Sequence, residues 1–111
     1  MSRAIERVEI PFAEGLDFDA LVAGPDGGDM VLFLHGFPQS AGMWRLQLEA
    51  LAANGYRAVA FDQRGYSPGA RPEGVEHYRI SHLVDDALGV ANHFGAERFA
   101  VVGHDWGAVV A

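Results

Sequence analysis

The sequence predicts an α/β fold: a mostly parallel sheet with helices on both faces and an antiparallel N-terminal edge. Three observations point there. The apolar runs Met30–Leu34, Ala58–Phe61 and Phe99–Val102 each end in a polar, glycine-containing loop, as buried parallel strands do. Segments with apolar residues at helical spacing lie between these runs, the βα alternation that builds parallel sheets. Ahead of them, two stretches alternate apolar and polar residues in the manner of half-buried antiparallel strands.

Taken in order, Val8–Phe12 and Phe18–Ala23 are the two antiparallel strands, joined by a turn at Glu14-Gly15. Gly24–Asp29 is a loop, and the strand Met30–Leu34 follows. Ser40 is placed to cap a helix from Ala41 to about Asn54, whose Trp44, Leu48 and Leu51 form the buried stripe and whose end is marked by Asn54-Gly55. After the strand Ala58–Phe61, residues Ser67 to Pro72 form an irregular loop placed to border a site. Ser81 is expected to cap a helix from His82 to His93, with Leu83, Ala87, Val90 and Phe94 inward and Gly95 closing it. Asp85 and Asp86 stand in its first turns, where the helix dipole favours acids; as neighbours on a helix they point apart and make no glycosidase-type carboxylate pair. The strand Phe99–Val102 then leads into Gly103-His104-Asp105-Trp106-Gly107.

Composition sets the outer bounds. Half of the 111 residues are hydrophobic, enough for a core, and no repeat, linker or low-complexity tract divides them, so residues 1–111 read as one domain. A net charge of −7 argues against nucleic acid or an anionic membrane surface as partner. No run approaches the roughly 18 apolar residues of a spanning helix. The N-terminus lacks the apolar stretch of a signal peptide, and with no cysteine there is no disulfide framework, so a cytoplasmic location is expected. The glycines follow neither the dinucleotide nor the Walker spacing. His77 and His82, five apart, would not share a helix face, and no metal or other cofactor is expected.

The chemistry-bearing signal is G-x-D-x-G at the end of an apolar strand. Glycines on either side of Asp105 let strand and helix approach around a sharp turn that thrusts residue 105 out of the sheet. A carboxylate there needs no base to activate it, and it attacks an electrophilic sp3 carbon directly to form an ester. The alternative is an ordinary loop whose Asp caps the next helix. His35-Gly36-Phe37-Pro38 after the strand at Met30 is either a turn or the donor half of an oxyanion hole. In the second case the backbone N–H groups are those of Phe37 and Trp106, worth about 3–4 kcal/mol each. Asp62 and Arg64, in the loop between, are expected to pair and brace the site's edge rather than do chemistry. Ser67 and Ser81 lack an elbow context, which leaves a serine-esterase reading weak.

Together H-G-F-P, D-Q-R-G-Y-S and G-H-D-W-G resemble the α/β-hydrolase superfamily, most closely its epoxide hydrolase and haloalkane dehalogenase branch, from about Ile10 onward. The resemblance implies the N-terminal portion of an α/β-hydrolase fold. It implies Asp105 as nucleophile, the amides of Phe37 and Trp106 as oxyanion donors and His35 as the residue shaping the loop, with Phe37–Pro38 a candidate cis peptide. Phe37, Pro38 and Trp106 would also line the substrate site. Haloalkane dehalogenases that grip halide with Asn carry it where Phe37 stands, and fluoroacetate dehalogenases carry Arg where Trp106 stands. The resemblance therefore favours a small apolar epoxide over a haloalkane.

In the family the general base His, its acid partner and the lid residues follow the elbow, whereas all five histidines here (35, 77, 82, 93 and 104) precede or adjoin it. His77, His82 and His93 read as solvated or structural. The expectation is a fragment of a larger hydrolase that forms the ester at Asp105 without turning over. The alternative is a non-catalytic interaction module that covers its open sheet edge by self-association or with the remainder of the hydrolase.

Overall fold

Alternation along the strands sorts the core into two layers on either side of one sheet. The computed structural model describes residues 5–12, 15–36, 40–67 and 69–111. Its elements are β1 (Glu6–Pro11), β2 (Asp17–Ala23), β3 (Met30–Leu34), α1 (Arg45–Ala53), β4 (Arg57–Phe61), α2 (Ile80–His93), β5 (Phe99–Gly103) and α3 (Trp106–Val110). The five strands form one sheet in the order β1-β2-β4-β3-β5. The first two pair antiparallel with Ile10 opposite Phe18, and β2 runs antiparallel to β4. β3 lies between β4 and β5 and is parallel to both.

Because successive side chains point to opposite faces, Leu32, Leu34, Val59 and Phe61 pack with Ala87, Val90, Ala91 and Val110 of α2 and α3. Val31, Phe33, Ala58 and Ala60 pack with Trp44, Leu48 and Ala52 on the other face. Helices therefore cover both sides of the strands. Under α2, the rings of Phe12, Phe18 and Phe61 form an edge-to-face ladder with centroids 5.4 Å apart. A side chain on Gly89 would run into the Phe12 ring. Among the described residues no helix is long and apolar enough to cross a membrane.

Both expected serine caps are corrected. Ser40 is extended and its hydroxyl bonds no helix amide. The segment opens as a 3-10 turn, Ala41–Trp44, and the Ala41 N–H donates instead to Asp62 Oδ1 at 2.7 Å. α2 begins a residue before Ser81, with Arg79 at the cap position and its carbonyl accepting the His82 N–H at 2.9 Å. In the first case a carboxylate from another strand end supplies the acceptor that local sequence assigned to serine. In the second, the extended backbone of Arg79 already turns the chain into the helix. The closing glycines stand as expected, with Gly55 at φ 88° and Gly95 at φ 74°, the left-handed conformation that ends helices. The turn residue Glu14 lies outside the described residues.

Candidate active site

Two residues separate the end of β5 from the start of α3, and the second, Asp105, has φ 59° and ψ −123°. It is the one non-glycine residue with positive φ among those described. An L-residue held there costs of the order of 1–3 kcal/mol and persists only where its surroundings over-determine it. They do so here. His104 N–H donates to the Leu34 carbonyl of β3, Gly107 N–H to His104 O at 2.9 Å and Ala108 N–H to Asp105 O at 3.0 Å. A Cβ on Gly103 would fall 2.5 Å from Gly107 O, and one on Gly107 would strike Leu34 O and lie 2.7 Å from His35 O. Strand, turn and helix are thus in backbone contact. A Cβ on Gly36 would meet the Cβ of Asp105 and sit 2.8 Å from its Oδ2, so Gly36, two residues after β3, lies directly against the Asp105 side chain. Asp105 itself is exposed.

Beneath this contact His35 is buried, and both of its ring nitrogens are engaged. The Gln63 N–H donates to Nε2 at 3.0 Å, which makes Nε2 an acceptor; the proton therefore sits on Nδ1 and is donated to Gly36 O at 2.9 Å. The Gln63 side-chain amide returns a bond to the His35 carbonyl at 2.7 Å. Burial pushes the His35 pKa below its ordinary 6.5, against weaker upward pulls from the Gly36 carbonyl and Asp62. The unfolded chain therefore takes up a proton near pH 6.5 that the folded chain refuses, and stability falls as pH drops below about 6.5, by up to about 1.4 kcal/mol per unit. Urea midpoints taken through that range should show the slope in the native chain and its loss in His35→Asn. An equal slope in both would mean that His35 is not the group responsible.

The loop after β4 fastens this floor to the rest of the molecule. Asp62 takes the Ala41 amide, and Ser67 Oγ accepts the Asp19 N–H at 3.0 Å while donating to the Asp62 carbonyl. Arg64 does not pair with Asp62. Its Nε and a terminal nitrogen donate to the two carboxylate oxygens of Asp86 at 2.9 and 2.8 Å, with both side chains buried. The carboxylate of Asp62 is spent on the helix start, and α2 offers Arg64 a partner with two free oxygens. Burial pushes the Asp86 carboxyl pKa up and Arg64 pulls it back. The guanidinium keeps its proton, and its two hydrogen bonds favour the ionised form of the carboxylate.

A cleft of about 270 Å³ opens at the carboxyl ends of the strands, where open α/β sheets bind ligands. Its walls are Tyr66, Tyr78, Ile80, Leu83 and Trp106, and its floor is His35, Gln63 and Arg64. Tyr66 stands edge-on to the His35 ring, centroids 4.7 Å apart, and its phenol pKa is raised by burial and then by the charge of Asp105. A larger hollow of about 560 Å³, lined by residues including Met30 and Phe99, lies at the opposite strand ends.

Of the residues singled out from sequence, His35, Asp105 and Trp106 come together at this end of the sheet. Trp106 opens α3, so its amide has no acceptor within the helix. Phe37, Pro38 and the bond between them lie outside the described residues, as does the side chain of His77. His82 is partly buried on α2, and His93 is exposed and packs edge-on against Phe94. Among the described residues no three His, Asp or Glu side chains gather as a metal site. Sequence reasoning passed over Gln63, Tyr66, Tyr78 and the Arg64–Asp86 pair. For Asp86 a signal existed: it stands three after Leu83 and four before Val90, on the face already assigned to the core, where a carboxylate needs a cation.

The matches to known proteins bear on the fold and the family. The family model described as alpha/beta hydrolase fold matches residues 29–111. Epoxide hydrolase A of Mycobacterium tuberculosis is 48% identical over 96 residues, covering 86% of this chain and 30% of that protein. Epoxide hydrolase B of the same organism is 54% identical over 84 residues, 76% of this chain and 24% of that protein. The crystal structure of epoxide hydrolase A from Mycobacterium thermoresistibile superposes with a TM-score of 0.90 at 39% identity, over 96% of this chain and 33% of that one. The chain thus spans about a third or less of the length of these relatives.

Proposed function

The chain belongs to the α/β-hydrolase fold family, as an N-terminal portion of that fold, and on that premise we propose that Asp105 is the nucleophile of an epoxide-hydrolase-type reaction. The observation that carries the reading is the backbone of Asp105, which holds a carboxylate out at the strand ends beside an apolar cleft. One carboxylate oxygen attacks an epoxide carbon, the C–O bond to that carbon breaks, and the alkoxide takes a proton from water. The product is a 2-hydroxyalkyl ester of Asp105. The names of the relatives support an epoxide over a haloalkane. Hydrolysis of the ester would place an oxyanion near the Trp106 amide, with Phe37 as the second donor.

That second step needs a base to activate water. His35 has both nitrogens engaged and no histidine follows Asp105 within these 111 residues, so the 111-residue polypeptide should hold the ester rather than release diol. Intact-mass spectrometry after incubation with styrene oxide is expected to show a gain of one epoxide in the native chain and none in Asp105→Asn. A folded sample that gains no mass would overturn the assignment and favour a contact module. For that alternative the candidate surface is β5, paired on one side to β3, with Val101 and Val102 more than a third exposed.

A further inference from the structure

Resting on the reading above, we propose that the cleft beside Asp105 seats the epoxide's substituent and selects an uncharged, planar aromatic ring, with Tyr66 and Tyr78 as specificity-determining residues. Size is the first argument. At about 270 Å³ the cleft is smaller than the roughly 300–1,000 Å³ of sites for drug-sized ligands, and it suits a group of single-ring size.

Charge is the second. The ionisable groups of the lining offer a ligand no free charge, because Arg64 is held by both oxygens of Asp86 and His35 is neutral. A carboxylate substituent would lose its hydration without gaining a partner there, and an ammonium would pair with Asp105, the carboxylate that must attack, at the reaction's expense.

Rigidity is the third. Tyr66 is fixed edge-on against His35. The Tyr78 hydroxyl donates to Pro72 O at 2.7 Å, and its ring lies against Gly65, whose φ of 93° disfavours any side chain and where an added Cβ would come 3.0 Å from Tyr78 Cε1. Aromatic surfaces already in place can take an aromatic ring edge-to-face or offset-stacked with little ordering cost, whereas a puckered aliphatic ring of equal size gains only burial.

The test compares styrene oxide with cyclohexyloxirane, which have the same carbon count and differ in whether the ring is flat. Rates of ester formation are followed by intact mass on the native chain, Tyr66→Leu, Tyr78→Leu and Tyr66→Phe. Taking the ratio of the two rates within each protein and comparing it between proteins cancels the intrinsic reactivity of the epoxides. The aryl-to-cyclohexyl ratio is expected to fall about tenfold in each Leu variant and to stay within about twofold in Tyr66→Phe, which keeps the ring. Tyr78 lies at the rim, about a third exposed, so its replacement reports on selection even where Tyr66→Leu does not fold. Ratios unchanged in the Leu variants, or both rates falling together, would overturn the selection while leaving Asp105 as nucleophile. No ester from either epoxide on the native chain would overturn the Asp105 reading and this inference with it.

Discussion

Replacing Asp86 by Ala is expected to lower stability by about 3–5 kcal/mol, a large part of the 5–15 kcal/mol that holds a domain of this kind together. The pair it forms with Arg64 joins the loop after β4 to α2, and the Asp86 and Arg64 side chains are only 1% and 6% exposed. Removing the carboxylate leaves a guanidinium that cannot shed its proton in a place that water barely reaches. Removing both charges together is a different matter. An Arg64→Met, Asp86→Leu double variant replaces the pair by apolar groups and is expected to recover to within about 1–2 kcal/mol of the native chain, since buried pairs seldom outweigh their own desolvation. Urea unfolding of the two single variants and the double one closes the cycle. A loss below about 1 kcal/mol for Asp86→Ala would mean that water or the other contacts of Arg64 make up for the lost carboxylate.

The same pair shows where the sequence was readable and where it was not. Met30–Leu34 has the same bounds in sequence and structure, because a strand buried on both faces must be apolar at every position, and no competing period fits five such residues. Gly55 and Gly95 were legible for a related reason: ending a helix in the left-handed conformation is a local demand that glycine meets at least cost. The groups that cap the helix starts were not legible. Ser40 has the right local chemistry, yet the acceptor for Ala41 comes from Asp62, twenty-one positions on, and no window of sequence around Ser40 contains it. Arg64 met its partner twenty-two positions away for the same reason. At the candidate site, the sharp turn at Asp105 was visible because its glycines are adjacent in the chain. The contact of Gly36 with Asp105 joins loops nearly seventy residues apart, and the cleft walls Tyr66, Tyr78 and Trp106 are brought together only by the sheet order.

Gly107→Ala is expected to slow ester formation at Asp105 about a hundredfold, the penalty of displacing a reacting group by roughly an ångström. It should also cost about 1–3 kcal/mol of stability, as overpacking does. The added methyl would collide with the Leu34 carbonyl oxygen and lie 2.6 Å from its carbon, both backbone atoms of β3 that cannot rotate away. Relief requires α3 to rise off the sheet, and α3 begins at the residue after Asp105. Two other glycines separate this cause from general ones. Gly42 has only Ser40 Oγ, at 3.7 Å, near the position of an added Cβ, so Gly42→Ala should leave the reaction unchanged and stabilise by up to about 1 kcal/mol. Gly95 meets nothing within 4 Å but sits at φ 74°, so Gly95→Ala should destabilise through backbone strain, by about 1 kcal/mol, and leave ester formation intact. Only the variant that lifts α3 combines both losses. If Gly107→Ala forms the ester at the native rate, the close approach of α3 to β3 is not what holds the Asp105 turn, and the hydrogen bonds of His104 and Ala108 must hold it alone.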